Sequence, residues 1–565
     1  MKKLLLLTIL APLICVTVTG QAIDAVSRTI YGATSTITYA SRIAGVKLDC
    51  VPSTGLTAAG GACTDNTSAI NAVLATATVA HPVDLILDGG TSTTGIYGPA
   101  GGYWSIDCLN WDNGFFVSTG ANAHVIRNIS GQNSYTWNSV PGIPGKNVAI
   151  RNCFINGNRG NGTSGDSNSG NARQAANGNW LFGVYLENMA HVRIEHNWFY
   201  DEPSFNLLLN SCKDCIVDSN RFDAVSQAIN QDGVHIDGLS SQIRVLNNWG
   251  NSTDDFIALN APEGISGPIT DVVLSGNHCA ACLALFLAYG GAYSGPNGSV
   301  TVSHVVADNN TISVATSPAG VEGTCFLLGF AFVAQGTTDV MDDFLISNST
   351  CTTLDKNSGF AVIADNVGSL HFSNVDWISP SGNCPCQGSY LPRPMIDFYL
   401  VDQSAITVSD LRINGASIYR TATGNTGSWL ANVPATVTIK RMEVGGFAVT
   451  NETGQSYAAL PYLMDLQNGG AIGAFVLDGI DPALSATLLN GNEWSRITNF
   501  YGPGVSTYYR NTTYANLPPA TYPGLKASIS DSNAGGVWGA NEGGGSAGHY
   551  AEVNSNGTNW TVTGK

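Results

Sequence analysis

From about residue 147 the chain repeats one short pattern: apolar, any, apolar, two of any type, then Asn. It reads VRIEHN ending at Asn197, CIVDSN at Asn220, IRVLNN at Asn248, VVLSGN at Asn277 and VVADNN at Asn310, at intervals of 23, 28, 29 and 33 residues. A second series lies between these: GVYLEN from Gly183, NLLLNS from Asn206, GVHIDG from Gly233, FIALNA from Phe256 and LALFLA from Leu283. Each segment alternates with period two, as a strand with one buried face does. Short strands recurring every roughly 20 to 35 residues predict a solenoid, in which a coil buries its apolar face only by stacking on its neighbours. The fold class predicted is all-β, a right-handed parallel β-helix. The Asn closing each repeat suits a left-handed turn position or a hydrogen bond along the stack.

The ends of the pattern predict caps. Residues 65 to 76, DNTSAINAVLAT, read as one short helix with Asp65 or Asn66 near its N-cap, placed to cover the first open coil. Coils continue with weaker regularity through SAITVSDLRING (Ser404 to Gly415) and ATVTIKRMEV (Ala435 to Val444). Prolines in YANLPPATYPG break the pattern near residues 510 to 520. The solenoid is therefore drawn over 23–510, with a small β-rich module over 511–565. The first 22 residues, MKKLLLLTILAPLICVTVTGQA, read as a secretory signal peptide: Lys2 and Lys3, an apolar run from Leu4 to Val18, then small residues near Gly20 and Ala22. That run is short for a bilayer span, and bulky Ile14 before Cys15 disfavours a lipoprotein signal. The expected location is extracellular or periplasmic, with no membrane attachment once the signal is removed.

Composition narrows the partners. The net charge is −17 and only 12% of residues are charged, which excludes nucleic acid, since phosphate binding needs clustered Lys and Arg. Thirteen cysteines include Cys15 in the signal, leaving an even number in an exported chain and so predicting disulfides. Cys50 with Cys63, and Cys325 with Cys351, are candidate local pairs, the connectivity being left open by the sequence. Cys212/Cys215 and Cys279/Cys282 are C-x-x-C pairs about two coils apart, too far for one zinc ion. No metal and no cofactor are expected.

The chemistry lies in two segments. STDDFIALN (Ser252 to Asn260) places Asp254 and Asp255 side by side before an alternating strand, and NQDGVHIDG (Asn230 to Gly238) places Asp232 22 residues before Asp254. Aligning buried positions Val184, Leu207, Val234 and Ile257 puts Tyr185, Leu208, His235 and Ala258 in one outward column. Glu187, Asn210, Asp237 and Asn260 form the next. Asp232 and Asp255 then head successive strands about 4.8 Å apart, so the three aspartates share a small patch. Grouped carboxylates cannot all ionise cheaply, and a protonated acid beside an ionised base is what glycosidic cleavage needs. The competing readings are structural: Asp-Gly at 232–233 as a turn, Asp254 or Asp255 capping backbone N–H groups at a bend, or a calcium ligand. His235 reads as a partner of Asp237, a sugar contact, or neither. Tyr185, Trp198, Tyr200 and Tyr289 read as sugar-stacking or as packing residues.

N-x-D-G followed about 22 residues later by D-D before a strand resembles the polygalacturonases of glycoside hydrolase family 28, which are pectin lyase-like β-helices. The resemblance rests on Asn230, Asp232, Asp254 and Asp255 and on the cap around Asp65 to Leu74. It implies polysaccharide hydrolysis with inversion, Asp255 as general acid, and Asp232 and Asp254 activating water. Rung spacing alone is nearer the retaining carboxylate separation of about 5 Å. Substrate contacts are assigned to Asn230, His235, Asp237, Glu187, Tyr185 and Tyr289, and to His278, which stands out of register in GNHCAACLA where the family has G-H-G. The family's R-x-K uronate clamp is missing, which points to a neutral or amino-bearing polysaccharide. GGGSAGHYAEVNSNGTNW near the C-terminus resembles the closing segment of phage tail proteins. The expected partner is a polysaccharide, as monomer or homotrimer. A lyase or epimerase on the same scaffold, or a glycan-binding adhesin without catalysis, are the alternative functions.

Overall fold

The computed structural model describes residues 35–50, 63–93, 95–117, 125–128, 142–157, 182–202, 204–225, 230–290, 300–315, 323–329, 340–353, 359–379, 394–398, 405–420, 428–451, 462–466, 469–480, 487–489, 496–501, 508–512, 526–532, 549–555 and 558–564. The signal peptide and the proline-rich break at 514–524 lie outside them.

Each central coil carries three strands. The second series forms the first, as in Val234–Asp237 and Asp255–Asn260. The first series forms the next, as in Ser240–Leu246 and Ile269–Ser275. In the two coils before these, both series run on as one bent strand, Val184–Glu195 and Leu207–Asp218. The third strand is a three- to five-residue piece on another face, such as Trp198–Tyr200, Arg221–Asp223, Trp249–Asn251 and His278–Cys282. All pair in parallel with the equivalent strand one coil away, Cys215 with Ile243, Ile243 with Val272 and Val272 with Val305. The chain is a right-handed parallel β-helix, as the repeat predicts. Among the described residues the last strand of its long sheet is Ile497–Tyr501, and a separate four-stranded sheet comprises Tyr508–Thr512, Lys526–Ser532, His549–Ser555 and Trp560–Gly564.

Alternation sends Val184, Leu207, Val234 and Ile257 into the bore, where every one is fully buried. Phenylalanines then stack along the axis. Phe199 lies on Phe222 at 5.0 Å, Phe286 near Phe326 at 5.4 Å and Phe326 near Phe360 at 5.1 Å. Burial of this continuous apolar column, at about 25 cal/mol per Å², is the main favourable term. Val553, Trp560 and Val562 of the small sheet join the same cluster.

Backbone polar groups at the corner of each coil are satisfied by an asparagine ladder. Asn197, Asn220, Asn248, Asn277 and Asn310 are all at most 1% exposed. The backbone N–H of each donates to the side-chain oxygen of the next, at 2.9, 2.9, 3.1 and 3.0 Å. Of the two roles expected for these residues, bonding along the stack is the one found. The left-handed position is the residue before: His196, Ser219, Asn247, Gly276 and Asn309 have φ between 53° and 69°.

The capping helix spans Thr67–Leu74, with Ile70 and Leu74 buried over the first coil. Both expected cap residues take part. Asp65 accepts from the Thr67 N–H at 3.0 Å, while Asn66 turns to the backbone of Lys47, at 2.9 and 2.8 Å. Disulfides join Cys50–Cys63, Cys108–Cys153, Cys212–Cys215, Cys279–Cys282 and Cys325–Cys351, so each C-x-x-C pair closes on itself. Among the described residues no helix is long and apolar enough to cross a membrane.

Replacing Asn248 with Ala strips the acceptor from both the N–H and the side-chain amide of Asn220. We expect a loss of about 3 kcal/mol in urea unfolding, whereas Asn247→Gly, at a left-handed position, stays within about 1 kcal/mol of wild type.

Candidate functional site

The acids converge because of main-chain register. Val234 pairs with Ile257, so Asp232 and Asp255 occupy equivalent places on consecutive coils. Gly233 N–H donates to Asp255 O at 3.1 Å, and Asn206 donates to Asp232 O through both its backbone and its side chain, at 2.9 and 2.7 Å. Asn230, with φ 60°, turns the chain into this position. Gly233 answers a close approach: a Cβ there would stand 2.5 Å from Phe256 O. Ser252 Oγ ties down Asp254 O at 2.7 Å, fixing the bend before the second strand.

The outward columns have the predicted membership. Tyr185 pairs with Leu208, Leu208 with His235 and His235 with Ala258. Glu187 pairs with Asn210, Asp237 with Asn260 and Asn260 with Tyr289. His235 sits at the centre. Its Nδ1 lies 2.7 Å from Asp232 Oδ2, and its Nε2 lies 3.2 Å from Asp237 Oδ1 and 3.3 Å from Glu263 Oε2. The Phe205 ring stacks on the imidazole with centroids 3.8 Å apart. Beside it, Tyr185 OH donates to Glu187 Oε2 at 2.5 Å, and Asn210 Nδ2 donates to both residues, at 3.2 and 3.1 Å.

These columns are not open to solvent, which corrects the expectation of direct sugar contact for Tyr185, His235, Asp237 and Tyr289, all at most 1% exposed. Alternation rightly points them away from the bore, but it says nothing of what packs over the outer face. Phe182 and Phe205 cover Tyr185 and Leu208 as one apolar cluster. The turn after Asn260 covers the second column: Ile265 N–H donates to Asn210 Oδ1 at 2.7 Å, and Glu263 Oε1 accepts a hydrogen bond from the Tyr289 hydroxyl. Gly264, with φ 53°, lies so close that a Cβ would overlap Asp237 and Asn210. Glu187 and Asn230 keep partial exposure. His278 is not brought to this cluster; it is exposed on the third-strand face, paired with Trp249. Trp198 and Tyr200 lie on that face too, where Arg221 stacks on Trp198 at 4.2 Å and on Trp249 at 4.7 Å.

Glu263 was not found from the sequence. It sits in a turn with no alternation to register it, and only the fold brings it to His235. Asn260 and Phe205 likewise gain their roles from packing.

Electrostatics divide the carboxylates. Burial raises Asp232, and the hydrogen bond from His235 pulls it back. Burial, then repulsion from Asp232, lifts Asp254 from 3.8 to about 8. Burial, with Asp254 and Asp232 adding, holds Asp255 well above the usual range. Burial lowers His235, but hydrogen bonds to Asp232, Asp237 and Glu263 outweigh it and leave it well raised. Asp232 and Asp255 are 3% and 5% exposed, while an edge of Asp254 reaches solvent.

No protein-family model matches the sequence, and no curated protein sequence matches it. Among solved structures, the family 28 exopolygalacturonase of Yersinia enterocolitica is similar with a TM-score of 0.46 at 10% identity, over 83% of this chain and 78% of that one. The tailspike protein of Pseudomonas phage LKA1 has a TM-score of 0.46 at 13% identity, over 77% of each chain. A tailspike of E. coli bacteriophage HK620, solved with a pentasaccharide, has a TM-score of 0.43 at 11% identity, over 78% of this chain and 74% of that one. The site stands on this chain's own geometry.

A carboxyl raised in the folded state binds its proton more tightly there than in the unfolded chain. Its contribution is therefore fully favourable below 3.8 and is lost as pH rises to about 8. Thermal unfolding of wild type should weaken across that window, and Asp254→Asn should flatten the dependence, gaining on wild type at pH 9 but not at pH 4.

Proposed function

We propose that the protein hydrolyses glycosidic bonds in a polysaccharide, with Asp232, Asp254 and Asp255 as its catalytic carboxylates. The observation that carries this is the meeting of three carboxyl groups from two coils, where burial and mutual repulsion raise Asp254 to about 8 and hold Asp255 well above the usual carboxylate range beside Asp232. Asp254 reaches solvent and is the better placed proton donor; the resemblance gave that role to Asp255. Asp254 gives its proton to the glycosidic oxygen, and the C1–O bond breaks with its electron pair left on that oxygen. A water oxygen bonds to C1, and its proton passes to Asp232, which His235 orients. Asp255 shares the cluster's proton and keeps two adjacent negative charges from forming. Partly exposed Glu187 and Asn230 are the proposed sugar contacts. The protein is proposed to work outside the cytoplasm, consistent with its disulfides.

A second reading, a glycan-binding protein without catalysis, is favoured by one fact: Asp232 and Asp255 are only 3% and 5% exposed. In that case the acids form a buried structural cluster.

A panel of neutral, amino-bearing and uronate polysaccharides, assayed for reducing ends and for unsaturated products, separates the readings. Hydrolysis yields reducing ends alone, and unsaturated ends indicate a lyase. Asp254→Asn and Asp255→Asn should each lower kcat by about 10²- to 10⁴-fold. The wild-type rate should fall on an alkaline limb near pH 8, the value that burial gives Asp254. Glycan binding without turnover, equal in wild type and variants, would establish the second reading.

A further inference from the structure

Beneath Asp232 the side chains form a pocket of ligand atoms that take no part in the reaction above, in which His235 serves only through its other nitrogen, Nδ1, on Asp232. His235 Nε2 is 3.2 Å from Asp237 Oδ1, 3.3 Å from Glu263 Oε2 and 3.3 Å from Asn260 Nδ2. One atom each of His235, Asp237 and Glu263 lies within 4.8 Å of the other two. Ligands at about 2.0–2.1 Å from a tetrahedral zinc stand about 3.4 Å apart, so the two measured separations from Nε2 have the length of a coordination edge. One imidazole with two carboxylates suits zinc, whereas calcium and magnesium take oxygen alone.

The ligands are also braced from behind, as metal ligands are. Asp232 holds the other imidazole nitrogen at 2.7 Å, and Phe205 fixes the ring plane by stacking at 3.8 Å. Tyr289 OH donates to the second oxygen of Glu263. His235 and Asp237, two apart on one strand, face the same way by alternation.

A separate observation points to the same spot. Asn260 is 4% exposed, and its Oδ1 has no hydrogen-bond partner among the described residues. Its amide already reaches His235 Nε2 through Nδ2. A half-turn of the amide exchanges the two atoms and brings an oxygen to the cluster as a fourth ligand.

We propose that His235 Nε2, Asp237, Glu263 and Asn260 Oδ1 bind one zinc ion beneath Asp232. Binding displaces a proton from Nε2, leaving the imidazole neutral with its remaining N–H on Asp232. The ion is a positioning element: it locks the imidazole, and through it the orientation of Asp232. This departs from the absence of metal expected from the sequence. The ligands come from a His-x-Asp strand and from a turn one coil further on, and only the fold brings them together. The proposal does not rest on the glycosidic reaction.

The test uses untagged protein, loaded with zinc, desalted and measured by elemental analysis. Wild type should retain about one zinc per chain, and His235→Gln and Glu263→Gln less than about one tenth of that. Chelator-stripped wild type should gain thermal stability on adding zinc, and Glu263→Gln should not, with far-ultraviolet circular dichroism confirming that the variants are folded. Three results overturn the proposal: no retained zinc and no shift in wild type, equal zinc in wild type and Glu263→Gln, or stabilisation by calcium and not by zinc.

Discussion

A buried side-chain amide at one corner of every central coil sets the position of everything else. Each ladder asparagine must give and receive hydrogen bonds at about 3 Å to coils on either side. Away from water, an unmade bond costs about 1–3 kcal/mol, so sliding one coil by a single residue would break several at once. A one-residue slip would also turn every alternating side chain to the wrong face. Register is thereby imposed twice, by polar pairing at the corner and by apolar packing in the bore. Residues far apart in sequence become neighbours as a direct result.

The acidic cluster depends on that rigidity. Left free, Asp254 and Asp255 would swing apart into water. The bend at Ser252 and the bond from Gly233 to Asp255 O hold their backbone beside Asp232. The energy needed to keep them together appears as displaced proton affinities, most clearly at Asp254 and Asp255. His235 partly neutralises the cluster from below, with its other nitrogen facing two further carboxylates. Thus a chain with few cations offsets a dense group of acids with one imidazole.

Much of this was legible in the sequence, because period-two alternation carries both face and register. The columns through Tyr185 and His235, and through Glu187 and Asp237, followed from that alone. The third strand of each coil was not foreseen. Trp198–Tyr200 or Arg221–Asp223 is three residues long, too short for a period to show. Nor does alternation reveal the cover over the outer face. The turn holding Glu263 and Ile265 has no periodicity, and its contact with Asn210 joins residues 55 apart. His278 shows the reverse failure: a motif resemblance placed it near the site, and the coil geometry puts it on another face.

The spacing of the ladder also bears on how such a chain can change over time. Successive ladder residues from Asn197 to Ser349 are separated by 23, 28, 29, 33 and 39 residues, yet the bonds between them stay between 2.9 and 3.2 Å. Most of the variation in length is absorbed by the connections between strands, the third strand itself ranging only from three to five residues. Surface segments can therefore lengthen, shorten or be exchanged while the frame beneath them stays still. A lineage built on this plan can acquire new surface preferences piecemeal, one coil at a time, without having to rediscover how to fold.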